Sequence, residues 1–311
     1  MTVQILLMLT GLALIVFGAD ILVEGSSALA RRAGISEFVI GLTVVGFGTS
    51  CPELVVSLTG ALQGNADVSV GNVLGSNVFN TLLILGLTAV VAPVAVSREN
   101  SRRDIPNTLL VTLLFVFFAL TGARISRAEG IVFLLVFAVY MFYCFKSDTG
   151  TAEEAAEPRV KNVWLALLLV LAGLGGLIEG GQLFVNHATQ LAGALGVSDK
   201  FIAVTLLAGG TSLPELATCI VAAAKKRDQL ALGNVLGSNI FNILLILGAS
   251  AVVTPLSTLS ITPVDLAAAL LGVALLWLWT ATGRRGRIDR AEGAVMLLVF
   301  AAYYAYLFVK M

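Results

Sequence analysis

Gly48-Thr49-Ser50-Cys51-Pro52-Glu53-Leu54, followed by Gly71-Asn72-Val73-Leu74-Gly75-Ser76-Asn77-Val78-Phe79-Asn80, is a stretch that the chain repeats. The second copy reads Gly210-Thr211-Ser212-Leu213-Pro214-Glu215-Leu216, then Gly233-Asn234-Val235-Leu236-Gly237-Ser238-Asn239-Ile240-Phe241-Asn242. In both copies the glutamate stands eighteen residues before the second motif, inside strongly apolar sequence. A carboxylate at the centre of a bilayer costs about 2.5–3.5 kcal/mol on insertion scales. Two acids placed this way, in matching surroundings, mark a site.

The surrounding composition makes the apolar setting a membrane. Of 311 residues 58% are hydrophobic and only 12% charged, and the mean hydropathy is +0.96, values that exclude a soluble globular domain. Ten apolar segments are read at about 3–26, 38–62, 68–92, 106–122, 128–146, 162–188, 201–224, 230–253, 264–282 and 290–310. Most are long enough to cross about 30 Å of hydrocarbon as helices, and they lack the alternation of a membrane barrel. The first segment has no basic region ahead of it and carries Asp20 and Glu24, so it is expected to be a retained helix rather than a signal peptide.

The likeness between the halves extends well beyond the motifs. A shift of 162 aligns Gly11 with Gly173, Gly18 with Gly180, Gly34 with Gly196 and Pro93 with Pro255; a shift of 163 aligns Arg127-Ala128-Glu129-Gly130 with Arg290-Ala291-Glu292-Gly293. Each unit then holds five crossings, and an odd number turns the second unit over in the membrane. The expected fold is an all-α integral membrane protein of ten transmembrane helices. It divides into an N-terminal five-helix repeat over 1–146, a short linker over 147–161 and an inverted five-helix repeat over 162–311. Such an arrangement suits alternating access.

Net charge is zero, which offers no bulk attraction for nucleic acid. The distribution is uneven, however: if the segments alternate, fifteen Lys and Arg residues share one side and only Arg124, Arg127, Lys200 and Lys310 fall on the other. The positive-inside rule then puts both termini outside and the linker in the cytoplasm, as for a multi-pass protein of the cell's inner (plasma) membrane. Cys51, Cys144 and Cys219 lie in or beside apolar segments without metal-ligand spacing and are read as small apolar residues.

No Lys or Arg lies near either glutamate in its segment, so cations or protons must neutralise the pair. Two carboxylates match the charge of one Ca2+. Thr49, Ser50, Thr211 and Ser212 add hydroxyls just before each glutamate, and hard oxygen ligands of this kind suit Ca2+ and Na+. Pro52 and Pro214 lack an amide hydrogen and disturb the preceding turn, which frees backbone carbonyls, including those of Gly46 and Ala208, to face ions. Asn72, Ser76 and Asn80 recur every four residues on one helical face, as do Asn234, Ser238 and Asn242. Ser76, Ser238, Asn80 and Asn242 would complete a cage of neutral oxygens around the two charged ones.

These paired motifs closely resemble the alpha-repeats of the sodium/calcium exchanger family, within the calcium/cation antiporter superfamily, and the resemblance covers nearly the whole chain. It is nearest to compact prokaryotic members without a large regulatory domain. The resemblance implies Na+/Ca2+ exchange, with Ca2+ extrusion driven by an inward Na+ gradient. By it, Glu53 and Glu215 coordinate Ca2+, and Thr49, Ser50, Thr211, Ser212, Ser76 and Ser238 serve as Na+ or Ca2+ ligands together with the carbonyls of Gly46 and Ala208. Asn80 and Asn242 form the central polar pair; some members carry Asp at the position of Asn242, so this chain has one ionisable group fewer there. The first helix of each repeat is expected to slide against a steadier core.

Asp20 and Glu24 align with Gln182 and Asn186, break the symmetry, and are read as interfacial or vestibule groups. Ca2+ and Na+ are expected as transported ions rather than cofactors, the lipid bilayer as the surroundings, and a monomer as the functional unit. Ca2+/H+ exchange and K+-dependent Na+/Ca2+ exchange are the alternatives. A channel is disfavoured by two inverted copies in one chain, and an enzyme by the lack of HExxH, of a supported Ser/His pair and of a transmembrane Asp pair.

Overall fold

The computed structural model describes residues 2–64, 66–148, 160, 162–195, 208–282 and 286–310. The chain is helical, with eleven main helices among the described residues: α1 Thr2–Ala33, α2 Glu37–Thr49, α3 Cys51–Leu62, α4 Asp67–Val91, α5 Asn100–Thr121, α6 Arg127–Ser147, α7 Val163–Ala194, α8 Leu213–Ala224, α9 Asp228–Val253, α10 Pro263–Thr282 and α11 Arg290–Lys310. Eight of these are long and apolar enough to cross a membrane, and α2 with α3, bent by 48°, makes a ninth. In the expected segment 201–224, residues 201–207 lie outside the described residues, as do 149–159 and 161 of the linker. The first helix of each half runs about one turn or more past its expected end, since the polar tails of α1 and α7 continue the helix beyond the apolar stretch.

The molecule is inverted in polarity relative to a soluble protein. Val3, Phe17, Leu110, Leu135, Phe142, Trp164, Leu168 and Leu298 face outward, while Glu53, Glu215, Ser76, Asn80, Asn234, Ser238 and Asn242 are buried. That distribution fits a hydrocarbon solvent and a polar interior. In α4 and α9, which carry the Gly-Asn-Val-Leu-Gly-Ser-Asn motifs, 72% and 83% of the apolar window is buried, against 11–39% in the other six long helices. The motifs therefore occupy the centre of the bundle.

Small residues set how the remaining helices meet. Gly11 packs on Gly180, Gly18 on Gly173, and Gly25 on Ala166, so α1 and α7 run antiparallel along a seven-residue repeat. A Cβ added at Gly18 would stand 2.9 Å from the Gly173 carbonyl oxygen, closer than van der Waals contact. Close backbone approach of this kind drives helix association where no hydrophobic effect operates between helices. Gly233 and Gly237 of α9 likewise admit the carbonyls of Phe38 and Leu42 in α2.

Among the described residues, four two-residue strands tie the connections together. β1 (Val94–Ala95) pairs antiparallel with β4 (Arg287–Ile288), and β2 (Arg124–Ile125) with β3 (Leu256–Ser257). Each pair joins one strand from each half of the sequence. Because α5 separates β1 from β2, the two pairs sit at opposite ends of the bundle.

A candidate cation cage of two glutamates

Each glutamate is delivered by the same local device. Ser50 and Ser212 adopt φ −84°, ψ 6° and φ −89°, ψ 6°, outside the helical range, and each breaks the helix immediately before a proline-containing first turn. Pro52 and Pro214 are tolerated there because the first-turn amides have no intrahelical acceptor. Glu53 and Glu215 thus fall in the first turns of α3 and α8, where the helix dipole favours negative charge. The sequence Ser-x-Pro-Glu breaks a helix, restarts it, and places an acid at the new positive end.

The two carboxylates are 1% exposed and close enough for Glu215 to repel the charge of Glu53. Their hydroxyl partners come from opposite halves. Ser50 donates to Glu215 Oε1 at 3.0 Å, and Ser212 donates to Glu53 Oε1 at 3.3 Å, with Ser76 donating to the same oxygen at 3.3 Å. Thr211 Oγ1 is buried without a hydrogen-bond partner. Oε2 of both glutamates is buried without a hydrogen-bond partner. A buried carboxylate oxygen left unpaired is costly unless a cation or proton completes it.

The remaining predicted ligands surround this pair. Thr49 Oγ1 lies 3.1 Å from both the Val45 carbonyl and Asn234 Oδ1. Ser238 donates to the Gly46 carbonyl at 3.3 Å, which also accepts from the Ser50 amide at 3.2 Å, so this carbonyl is not freed by the break as the sequence suggested: Pro52 removes a donor from the carbonyl of Gly48, not of Gly46. Asn72 holds α3 in place, donating to the Glu53 carbonyl at 3.2 Å and to Ser57 Oγ at 3.0 Å. Asn80 and Asn242 make no hydrogen bond to the glutamates, yet both are buried and both carbonyl oxygens are unpaired. Each sits where its helix widens to π geometry, over Phe79–Ile84 and Phe241–Leu247, a local change common at functional sites. Ala208 lies in helix, Ala208–Gly210 among the described residues, ahead of the second break.

Three features escaped sequence reasoning. Cys219 is buried as expected, but its sulfur also accepts from Asn234 Nδ2 at 3.3 Å. Asn77 and Asn239, present in both motif copies, form side-chain bonds deep in the bundle: Asn242 Nδ2 donates to Asn77 Oδ1 at 3.0 Å and Asn239 Nδ2 to Thr81 Oγ1 at 2.8 Å. Asp20 and Glu24 are joined by Lys225, whose Nζ lies 2.7 Å and 3.1 Å from their carboxylates. The only available signal for the second was the repetition itself, and for the third the presence of a lysine at the end of α8.

Two buried carboxylates ringed by hydroxyl and amide oxygens at the centre of a helical membrane bundle are the arrangement that a cation transporter requires. The sodium/calcium exchanger protein family model matches residues 3–146 and 165–309, and the chain belongs to that family, which makes it a Ca2+/cation antiporter. It is 41% identical to CaxA of Alkalimonas amylolytica, with 99% of both chains covered. The sodium/calcium exchanger MaX1 of Methanosarcina acetivorans is 33% identical, again over 99% of each chain. Among solved structures, the sodium-calcium exchanger NCX_Mj soaked without Na+ and Ca2+ superposes with a TM-score of 0.85 at 34% identity, covering 98% of this chain and 99% of that one.

Proposed function

We propose that this protein exchanges Na+ for Ca2+ across the cell's inner (plasma) membrane by alternating access, extruding Ca2+ at the expense of the inward Na+ gradient. The observation that carries the reading is the reciprocal pairing of Ser50 with Glu215 and Ser212 with Glu53, with the second oxygen of each carboxylate left unpaired. A hydroxyl that donates its proton to a carboxylate keeps lone pairs for a cation. One Ca2+ balances both charges, and several Na+ ions can share the same oxygens.

In this reading the ligands are Glu53, Glu215, Thr49, Ser50, Thr211, Ser212, Ser76, Ser238, Asn80, Asn242 and the carbonyls of Gly46 and Ala208. The ten expected crossings form two inverted five-helix repeats, 1–146 and 162–311, joined by a cytoplasmic linker, with both termini outside. The antiparallel course of α1 and α7 along matched glycines supports that inversion. An empty cage leaves two negative charges together in a dry interior and resists closure, whereas a filled one lets α1 and α7 slide. Unequal charge movement would make exchange respond to membrane potential, at about 2.3 kcal/mol per net charge per 100 mV.

The test is 45Ca2+ flux in proteoliposomes driven by a sodium gradient. Uptake that needs the gradient and disappears in Glu53→Gln and Glu215→Gln is expected. Flux that ignores sodium and follows a pH gradient would replace this reading with Ca2+/H+ exchange.

A further inference from the structure

Asn242 is the cage candidate whose amide orientation can be worked out from a fixed point. Asn77 Nδ2 donates to the backbone carbonyl of Asn239 at 3.2 Å. A backbone carbonyl can only accept, so this bond forces the nitrogen of Asn77 toward Asn239 and its oxygen the other way. That oxygen accepts a hydrogen bond from Asn242 Nδ2 at 3.0 Å. The nitrogen of Asn242 is thereby committed, and its Oδ1 is left buried without a partner. Three groups in series, none exposed by more than 6%, fix a lone carbonyl oxygen.

The other half is wired differently, although its motif is the same. Asn239, the counterpart of Asn77, sends its amide nitrogen to Thr81 Oγ1 at 2.8 Å rather than to Asn80. The counterpart of Thr81 is Ile243, which has no hydroxyl to compete for Asn77. The difference between Thr81 and Ile243 thus explains why the relay forms toward Asn242 alone.

We infer that Asn77 is a positioning residue for ion binding: held by the Asn239 carbonyl, it turns the amide of Asn242 so that a neutral oxygen faces the transported cation. The inference rests on the proposed cage. Groups that orient a metal ligand from behind commonly carry about 10- to 100-fold in affinity, and a single amide acting on one of many ligands falls at the lower end.

The experiment is a double-mutant cycle on sodium-driven 45Ca2+ uptake, reading the half-saturating Ca2+ concentration separately from the maximal rate. Asn77→Ala and Asn242→Ala should each raise that concentration about 10-fold, and the double variant should be no worse than Asn242→Ala alone. Asn77→Ser, which keeps a polar group but cannot reach Asn242, should match Asn77→Ala and replaces it if the alanine variant does not fold. Effects that multiply in the double variant, or an Asn242→Ala protein with unchanged half-saturation, would overturn the assignment. Glu53→Gln and Glu215→Gln are measured alongside. If they keep exchange, the cage itself is wrong; if they are inactive while the cycle multiplies, only the role of Asn77 is lost.

Discussion

Glu53 and Glu215 are served in matched fashion by a serine from the opposite half, whereas the helix ends ten residues beyond them have diverged. After Glu215, α8 ends at Lys225, which grips Asp20 and Glu24 of α1. The corresponding residue after Glu53 is Gln63, and the counterparts of Asp20 and Glu24 are Gln182 and Asn186 on α7. These neutral residues are exposed, and no hydrogen bond joins them among the described residues. Even the left-handed turn that follows is filled differently, by Gly64 at φ +77° in one half and Lys226 at φ +58° in the other. Under the exchange mechanism proposed above, one cargo would constrain the centre from both sides, while the two ends would face different solutions and be free to differ.

The sharpest way to break the central equivalence is to neutralise one glutamate at a time. Glu53→Gln and Glu215→Gln should each reduce sodium-driven Ca2+ flux by at least about 100-fold, since a single carboxylate leaves a divalent cation half balanced in a dry site. A large effect in only one would show that the halves are not equivalent. Next in size is the α1/α7 seam. Gly18→Leu forces a side chain against the Gly173 carbonyl and should cost about 1–3 kcal/mol, seen as a lower thermal unfolding midpoint in detergent. Gly180→Leu, in the matching position, should cost a similar amount.

Smaller effects probe the crossed serines. Ser50→Ala and Ser212→Ala each remove a hydrogen bond to a charged group, worth about 1.5–3 kcal/mol, part of which the bound cation recovers. An increase of about 10-fold in half-saturating Ca2+ is expected from each, and the two values should agree within a factor of about three. The smallest effect belongs to the divergent ends. Lys225→Gln breaks two partly exposed ion pairs, each worth about 0.2–1 kcal/mol, so apparent Ca2+ affinity should shift about 2- to 5-fold on one side of the membrane only. Equal shifts from both sides in sided vesicles would refute an asymmetric role.

The family, the helical membrane class and the positions of both glutamates were legible because burying an acid in apolar sequence is expensive and because the chain writes its motif twice. The Ser-x-Pro-Glu break was readable for a similar reason: it is a local pattern with a local cause. What could not be read was which faces would meet. Periodicity places Ser76 on one side of α4, but it does not say that Ser50 crosses to Glu215 while Ser212 crosses to Glu53. It also could not connect Asn77 to Asn242, since both residues look like ordinary members of a polar stripe. Asp20 and Glu24 were visible as odd acids in an apolar helix; their partner, Lys225, lies some two hundred residues away and is brought near only by tertiary packing.

The four short strands carry a mechanical consequence. Each pair is a cross-stitch between the halves, one at either end of the bundle, so the halves cannot swing apart like the shells of a clam without tearing both seams. α1 and α7 contribute no strand to either stitch. They are the long members that no strand fastens, a matched pair of rails on a frame sewn shut at both ends, with α1 latched to it through Lys225.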